Sequence, residues 1–197
     1  MSTPPALIDD LGRAGVPVAD LWELVNGEVQ YRSATPVLVD WLEHLDERVP
    51  GADREKVREG LVRALTVPAA RPAAAPVLLE QFRRVADPSG LGPRWVIGNA
   101  LEVVADDSVF DEVAAIVRDS AFGKARQMVV LGLARSKDRR AVPLLIELLD
   151  DEDVAAHAAM ALGKLRADEA RSALERHLAS PQPLVRREAK KALAKLG

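Results

Sequence analysis

A repeat with a period of about 31 residues constrains the fold of this chain more than any other feature of its sequence. The segment ALGKL at 161–165 recurs as ALAKL at 192–196. Counting back from Leu162 by 31 and then by 30 residues gives Leu131 and Leu101, each inside another apolar run. Regular spacing of this length is typical of folds that stack one small unit several times.

Each repeat contains a second apolar segment, which follows a proline and carries an acidic residue four positions after it. Pro36, Pro76 and Pro143 begin segments of this kind. Proline suits the first position of a helix, because its missing N–H would be unpaired there and its φ is already helical. We therefore expect these prolines to open the second helix of their repeats.

Apolar residues recur at helical spacing in both segments, and no segment alternates as a strand would. We predict an all-α chain of five to six antiparallel helix pairs, stacked as an α–α superhelix (solenoid) in a single structural domain. We assign 1–32 to an N-terminal helical cap, 33–90 to irregular repeats and 91–197 to regular repeats that end in a capping helix.

Three segments carry a resemblance to a known family: ALGKL at 161–165, the aspartate-rich turn at 150–153 and AVPLLIELLDD at 141–151. Together they resemble HEAT repeats, in particular the short bacterial HEAT-like repeats of phycobilisome lyases. The resemblance is good over 92–197, weaker over 33–88 and absent over 1–32. It implies a scaffold or adaptor whose second helices line a concave binding surface. A minority of such proteins are enzymes, either bilin-attaching lyases or alkylpurine DNA glycosylases.

The composition excludes several kinds of chemistry. The chain has no cysteine, so disulfides, thiolate nucleophiles and cysteine-ligated zinc are ruled out. Its 27 basic and 30 acidic residues and its 4% aromatic content argue against a nucleic-acid partner. No apolar stretch approaches the roughly 18 residues of a membrane span, and the first residues lack a signal peptide. We therefore expect a soluble, cytoplasmic protein with no membrane partner.

No pattern of catalytic or metal-binding residues emerges. The histidines, His44, His157 and His177, lack the spacing of zinc or di-iron ligands. We interpret the acidic run 150–153 as a helix end followed by a helix start that Asp153 caps. We predict no catalytic residues, no metal and no cofactor. The alternative is an enzyme or enzyme subunit that holds a small ligand.

The predicted partner-binding surface follows the acidic residue four positions after each proline. Register extends this row from Asp40, Glu80 and Glu147 to Ile116 and Arg176. The surface that we predict to contact a protein partner consists of Asp40, Trp41, His44, Glu80, Arg83, Arg84, Glu147 and Arg176. The competing interpretation is that the row is only the solvated stripe of amphipathic helices.

The two ends of the chain differ in charge. Residues 1–50 contain nine acidic and three basic residues, including Glu23, Glu28, Glu43, Asp46 and Glu47. We therefore expect the partner to present lysine or arginine, and the protein itself to be a monomer. This charge also argues against a DNA glycosylase, although Asp40 and Trp41 form an adjacent aspartate–tryptophan pair. The last helix, 183–196, is strongly basic, and we interpret it as the polar end cap of the solenoid.

Overall fold

The computed structural model describes residues 3–27 and 31–196. Over these residues the chain forms thirteen α-helices joined by turns and short 3-10 segments, and it forms no strand. The helices are α1 (Pro5–Arg13), α2 (Trp22–Asn26), α3 (Thr35–Glu43), α4 (Leu45–Arg48), α5 (Arg54–Ala64), α6 (Ala75–Arg84), α7 (Pro93–Val104), α8 (Phe110–Arg118), α9 (Gln127–Gly132), α10 (Ala141–Glu147), α11 (Ala155–Leu165), α12 (Arg171–His177) and α13 (Pro183–Leu193).

The helices form two layers that alternate along the chain. In the first layer α2, α5, α7, α9, α11 and α13 each pack against the next. The second layer contains α1, α3, α6, α8, α10 and α12, and the single turn α4 follows α3. Pairs such as α6 and α7, or α12 and α13, connect the layers. This arrangement confirms the predicted all-α stack of helix pairs.

The repeated leucines form the centre of this stack. Leu101 and Leu162 are fully buried and Leu131 is nearly so. Leu193, the fourth leucine of the series, is only half-buried. The difference arises because α13 is the last helix of its layer, with no further helix beyond it among the described residues. Most of the core is one cluster that extends from α1 to the end of α13, and Ala155, Ala156 and Val185 form a small second cluster between α11 and α13.

A close approach between α11 and α13 depends on a glycine. A Cβ atom added to Gly163 would lie 2.8 Å from the Cα of Ala192, nearer than side chains tolerate. The two backbones can therefore pack at short range only because both positions are small. Small side chains at a contact let helix axes approach toward the short end of the usual range of about 8–10 Å.

Two predicted helix starts are wrong in detail. Pro36 and Pro76 lie in the first turn of α3 and α6 as expected, but Pro143 is the third residue of α10. Asp153 does not cap α11, whose N-cap is Val154 with no side-chain hydrogen bond. Instead, an oxygen of Asp151 accepts from the backbone N–H of Asp153 at 3.0 Å, which tightens the turn.

The turn-forming segment at 87–93 is organised by one buried carboxylate. Asp87 accepts hydrogen bonds from the Ser89 hydroxyl and from the backbone N–H groups of Gly90, Gly92 and Arg94. Burial alone would raise the pKa of Asp87, but these four hydrogen bonds outweigh it and lower that pKa. The segment is thereby held against the start of α7.

Both ends of the stack are covered by helices. At the N-terminal end, α1 packs on α3 and α2 packs on α5, so the segment assigned to the cap extends both layers. At the other end, α13 covers α11 and α12 and buries Val185, Ala189 and Leu196. Parts of the predicted cap, residues 1–2 and 28–30, lie outside the described residues. The proposed boundaries at 32 and 90 remain predictions.

Candidate partner-binding surface

Most residues of the predicted row lie on the second layer and are exposed. Asp40 is on α3, Glu80 on α6, Glu147 at the end of α10 and Arg176 on α12. Ile116 on α8 is only 1% exposed, so its assignment to the row is wrong. As a large apolar side chain on an amphipathic helix, it turns into the core instead.

Trp41 must also be removed from the candidate surface. Its side chain is 3% exposed, and its indole Nε1 donates to Asp10 Oδ2 of α1 at 2.9 Å. The Arg48 guanidinium lies 5.0 Å from the ring centre and covers it further. The Asp40–Trp41 pair therefore offers no open aromatic face to a flipped DNA base, as a glycosylase would need.

Asp40 is paired with cationic groups of its own chain. Arg48 Nη1 lies 2.6 Å from one carboxylate oxygen, and the Nδ1 atom of His44 lies 3.2 Å from the other. The hydrogen bond from Arg48 lowers the pKa of Asp40. The ring of His44 also contacts the backbone oxygen of Asp40 at 2.9 Å, and this hydrogen bond raises the pKa of His44.

Glu80 belongs to a network that ties α6 to α4 and α5. Arg84 bridges Glu80 at 3.0 Å and Asp46 at 2.8 Å. Asp46 also lies 3.2 Å from the largely buried Arg58, whose Nε donates to Gln81 at 2.9 Å. Arg84 and Arg58 thereby link the side chains of Glu80, Asp46 and Gln81.

The same pattern continues on α8 and α10. Arg118 lies 3.1 Å from Glu147, and Arg140 lies 2.6 Å from Asp111. Arg140 also stacks 4.4 Å from the ring centre of Phe110. These contacts join neighbouring helices of the second layer across their exposed faces.

The two remaining arginines of the predicted surface contact backbone oxygens. Arg83 donates to the carbonyl of Glu112 on α8 at 3.5 Å, and Arg176 donates to Ser172 within its own helix at 3.5 Å. The row is therefore a band of balanced charge and not a bare acidic strip. Two exposed acids beside it, Glu43 and Glu47, have no side-chain partner within 3–27 and 31–196. Glu28 lies outside the described residues.

Two open grooves run along this surface, each about 470 Å³ in volume. The α1–α3 groove includes Asp10, Arg13, Pro36, Val37 and Asp40. The α8–α10 groove is lined by apolar and charged residues. The apolar ones are Phe110, Ala114, Pro143 and Leu144, and the charged ones are Asp111, Arg118, Arg139, Arg140 and Glu147. Asp40 and Glu147, predicted from their register, thus each lie in a groove between second-layer helices.

A larger cleft of about 530 Å³ lies outside the predicted surface, where the turns after α5, α7 and α9 meet. Arg71, Arg135 and Lys137 lie on its rim. Its acidic groups are already engaged, since Asp107 accepts from the Ser136 hydroxyl at 2.5 Å and from the backbone of Lys137. Among the described residues, no three histidine, aspartate or glutamate side chains converge as metal ligands would.

The sequence analysis missed the most deeply buried charge of the protein. Arg126 is 0% exposed, and its guanidinium donates to Asp151 at 2.7 and 3.2 Å. It also donates to the carbonyl oxygens of Val117 at 2.8 Å and Gly123 at 3.0 Å. Two residues of the acidic run at 150–153 therefore neutralise this arginine: Asp151 through these hydrogen bonds, and Asp153 at 3.8 Å. Nothing in the sequence indicated the Arg126–Asp151 ion pair, because its two residues are 25 positions apart and belong to no local motif.

The fold and the surface together define an α-solenoid that presents a charged, grooved helical face. Residues 110–194, from the start of α8 into the last turn that follows α13, match the family model for HEAT repeats. The match does not distinguish the phycobilisome-lyase type from other HEAT repeats. Curated proteins include no match to the chain. No helix in the described part of the chain is both long and apolar enough to cross a membrane.

Proposed function

We propose that this protein is a non-enzymatic scaffold or adaptor that binds another protein along its second layer of helices. The α8–α10 groove carries the proposal. Its floor is apolar, and its rim consists of arginine and carboxylate groups that already balance one another. An apolar centre with a polar, hydrogen-bonding rim is the usual anatomy of a protein interface.

The family supports the same function. HEAT repeats generally mediate protein–protein interactions, and stacked repeats provide extended surfaces for that purpose. An enzyme would need titratable groups that converge in one pocket. The carboxylates of the second layer are instead distributed over several helices, and Asp40, Glu80 and Glu147 are each paired with an arginine. These observations favour a binding surface over a catalytic one.

The partner in this proposal presents basic side chains near α3 and α4. Glu43 and Glu47 are exposed there beside the Asp40–Arg48 pair. Lysine or arginine of a partner would find these two carboxylates available without breaking an existing ion pair. The proposal places the protein in the cytoplasm, as a monomer until it meets its partner.

The absence of cysteine permits a direct test. Glu147→Cys provides a unique thiol in the α8–α10 groove, to which a photoactivatable crosslinker can be attached. Glu59→Cys, on the exposed face of α5 in the first layer, is a control with the same change of charge. After irradiation in native lysate, we expect discrete protein adducts from position 147 and not from position 59. Equal adducts from both positions, or adducts from position 59 alone, would contradict binding along the second layer.

A further inference from the structure

The exposed surface of α13 carries charge of a single sign. Four of its residues are basic, Lys195 follows in the next turn, and its only acid, Glu188, is 6% exposed. Burial alone would raise the pKa of Glu188, but hydrogen bonds from Lys191 and Arg187 outweigh it and lower that pKa. Because Gly163 packs against Ala192, the end of α11 brings two further cations alongside. The basic terminal surface consists of Lys164, Arg166, Arg187, Lys190, Lys191 and Lys195.

End capping alone does not account for this charge. A cap must be polar, but it need not be of one sign. Arg187 and Lys191 are four residues apart in α13, and like charges at that spacing destabilise a helix; Lys195 lies four residues further on, in the turn after the helix. The helix dipole favours cations only near the C-terminus, whereas Arg187 lies in the first half of α13. By contrast, α5 alternates its charges and pairs Glu59 with Arg63 at 2.8 Å.

Several of these cations are available for a ligand. Lys164, Arg166, Lys190 and Lys195 are exposed, and their side chains have no hydrogen bond or ion pair within 3–27 and 31–196. In contrast, Arg84 of α6, Arg118 of α8 and Arg140 just before α10 are bonded to carboxylates of their own chain. A ligand could therefore engage the terminal cations without the loss of an internal contact.

An exposed apolar side chain accompanies the cations. Leu184 on α13 is 43% exposed and lies one turn before Arg187. An exposed leucine on the same helix face as Arg187 and Lys191 suits a ligand that has both an acidic and an apolar face. The surface contains no aromatic residue, and sequence-tolerant binding of single-stranded nucleic acid depends on base stacking against aromatics. We propose that the basic terminal surface binds an acidic, amphipathic segment of a partner protein.

The test uses synthetic probes and the full chain. The probe is a fluorescein-labelled helical peptide of about 20 residues, or roughly 30 Å, with glutamate on one face and leucine on the other. A peptide with lysine in place of each glutamate and a single-stranded DNA of about 20 nucleotides are the comparison ligands. Fluorescence anisotropy at low salt and at near-physiological salt gives Kd for each.

The variant Lys190→Glu/Lys195→Glu reverses two cations that have no internal partner, so a weaker complex cannot result from a broken ion pair. We expect it to raise the Kd of the acidic peptide about tenfold, and we expect salt to weaken wild-type binding. The matched control, Lys137→Glu/Arg139→Glu, reverses two exposed cations at the turn before α10 and should leave Kd unchanged. Glu147→Lys should also leave it unchanged, which separates this surface from the α8–α10 groove.

Four results would overturn the proposal. The first is an acidic peptide that does not bind the wild type, or binds the terminal variant equally well. The second is equal binding of the lysine peptide. The third is tighter binding of the DNA than of the acidic peptide, which would make nucleic acid the ligand. The fourth is self-association of the wild type in sedimentation that the terminal variant abolishes, which would make a second copy of the chain the occupant.

Discussion

Replacement of Arg126 by methionine tests whether the buried ion pair stabilises the middle of the solenoid. Methionine keeps much of the side-chain volume but removes the bonds to Asp151 and to the carbonyls of Val117 and Gly123. Val117 is in the last turn of α8 and Gly123 lies between α8 and α9, so the change affects the connection between consecutive helices. The matched control is Arg118→Met, which removes an exposed ion pair with Glu147.

The two members of the pair should not be equally costly to remove. Loss of one partner of a buried pair typically costs about 3–5 kcal/mol of unfolding free energy. The side chain of Asp151 is 25% exposed and can be hydrated, so Arg126→Met should cost about 3 kcal/mol, near the lower limit. Asp151→Ala leaves a guanidinium that is 0% exposed with only Asp153, 3.8 Å away, as a counter-ion, and should cost up to about 5 kcal/mol.

Urea unfolding followed by circular dichroism near pH 7 measures these differences in unfolding free energy. In a separate thermal unfolding experiment, Arg126→Met should lower Tm by about 6–12 °C, since 1 kcal/mol corresponds to about 2–4 °C in a chain of this size. The double variant Arg126→Met/Asp151→Ala should lose less stability than the sum of the single variants, because the second change no longer leaves a buried charge without its partner. Arg118→Met should change stability by less than about 1 kcal/mol. An Arg126→Met effect as small as that of the control would refute the reasoning.

Four further predictions follow from other parts of the structure. Leu162→Ala should cost about 2–5 kcal/mol in urea unfolding, since this side chain is fully buried, and a loss below about 0.5 kcal/mol would contradict its place in the core. Deletion of 183–197 should cause dimers or aggregates in size-exclusion chromatography, because it uncovers α11 and α12; an unchanged monomer would make α13 an appendage. Burial lowers the pKa of His157, only partly offset by Glu188, so folded-state stability should fall as pH drops below about 6.5. In denaturation at about pH 7.5 and 5.5, His157→Gln should lose less stability on acidification than wild type does, and equal losses would exclude His157 as a cause. Reversal of Asp40 and Glu80 to lysine should slow association with the crosslinked partner and reduce its salt dependence, and an unchanged on-rate at two salt concentrations would place the interface elsewhere.

The fold was predictable because its main signal is periodic. The spacing of Leu101, Leu131 and Leu162 reports a physical requirement, since each repeat must place an apolar side chain against its neighbours. In α13 the same requirement buries Val185 and Ala189, which lie four residues apart on one helix face. Helix starts were less predictable, because the turn before α11 is shaped by Asp151 and not by the capping residue that local sequence favours.

The candidate surface was predictable only in part. Register correctly placed Asp40, Glu80 and Glu147 on exposed faces of the second layer. It failed at Trp41, which α1 covers through its bond to Asp10, because that contact joins positions 31 residues apart. Local periodicity distinguishes the inner from the outer face of a helix, but it does not specify which outer positions a neighbouring helix will cover. It also does not specify which exposed charges will be paired.

The pairing of charges is what separates the structural polar groups of this protein from those available for binding. In the middle of the solenoid, Arg84, Arg118 and Arg140 each bridge carboxylates on neighbouring helices, so their charges help to hold the second layer together. At the ends of the chain, Glu43 and Glu47 on one side and Lys190 and Lys195 on the other have no such partner within the described ranges. Exposed charges that do not stabilise their own fold still attract partner surfaces of opposite charge and disfavour binding of partners with the same charge. The two proposed surfaces therefore differ in sign and in helix layer, which allows one chain to hold a basic and an acidic partner at the same time.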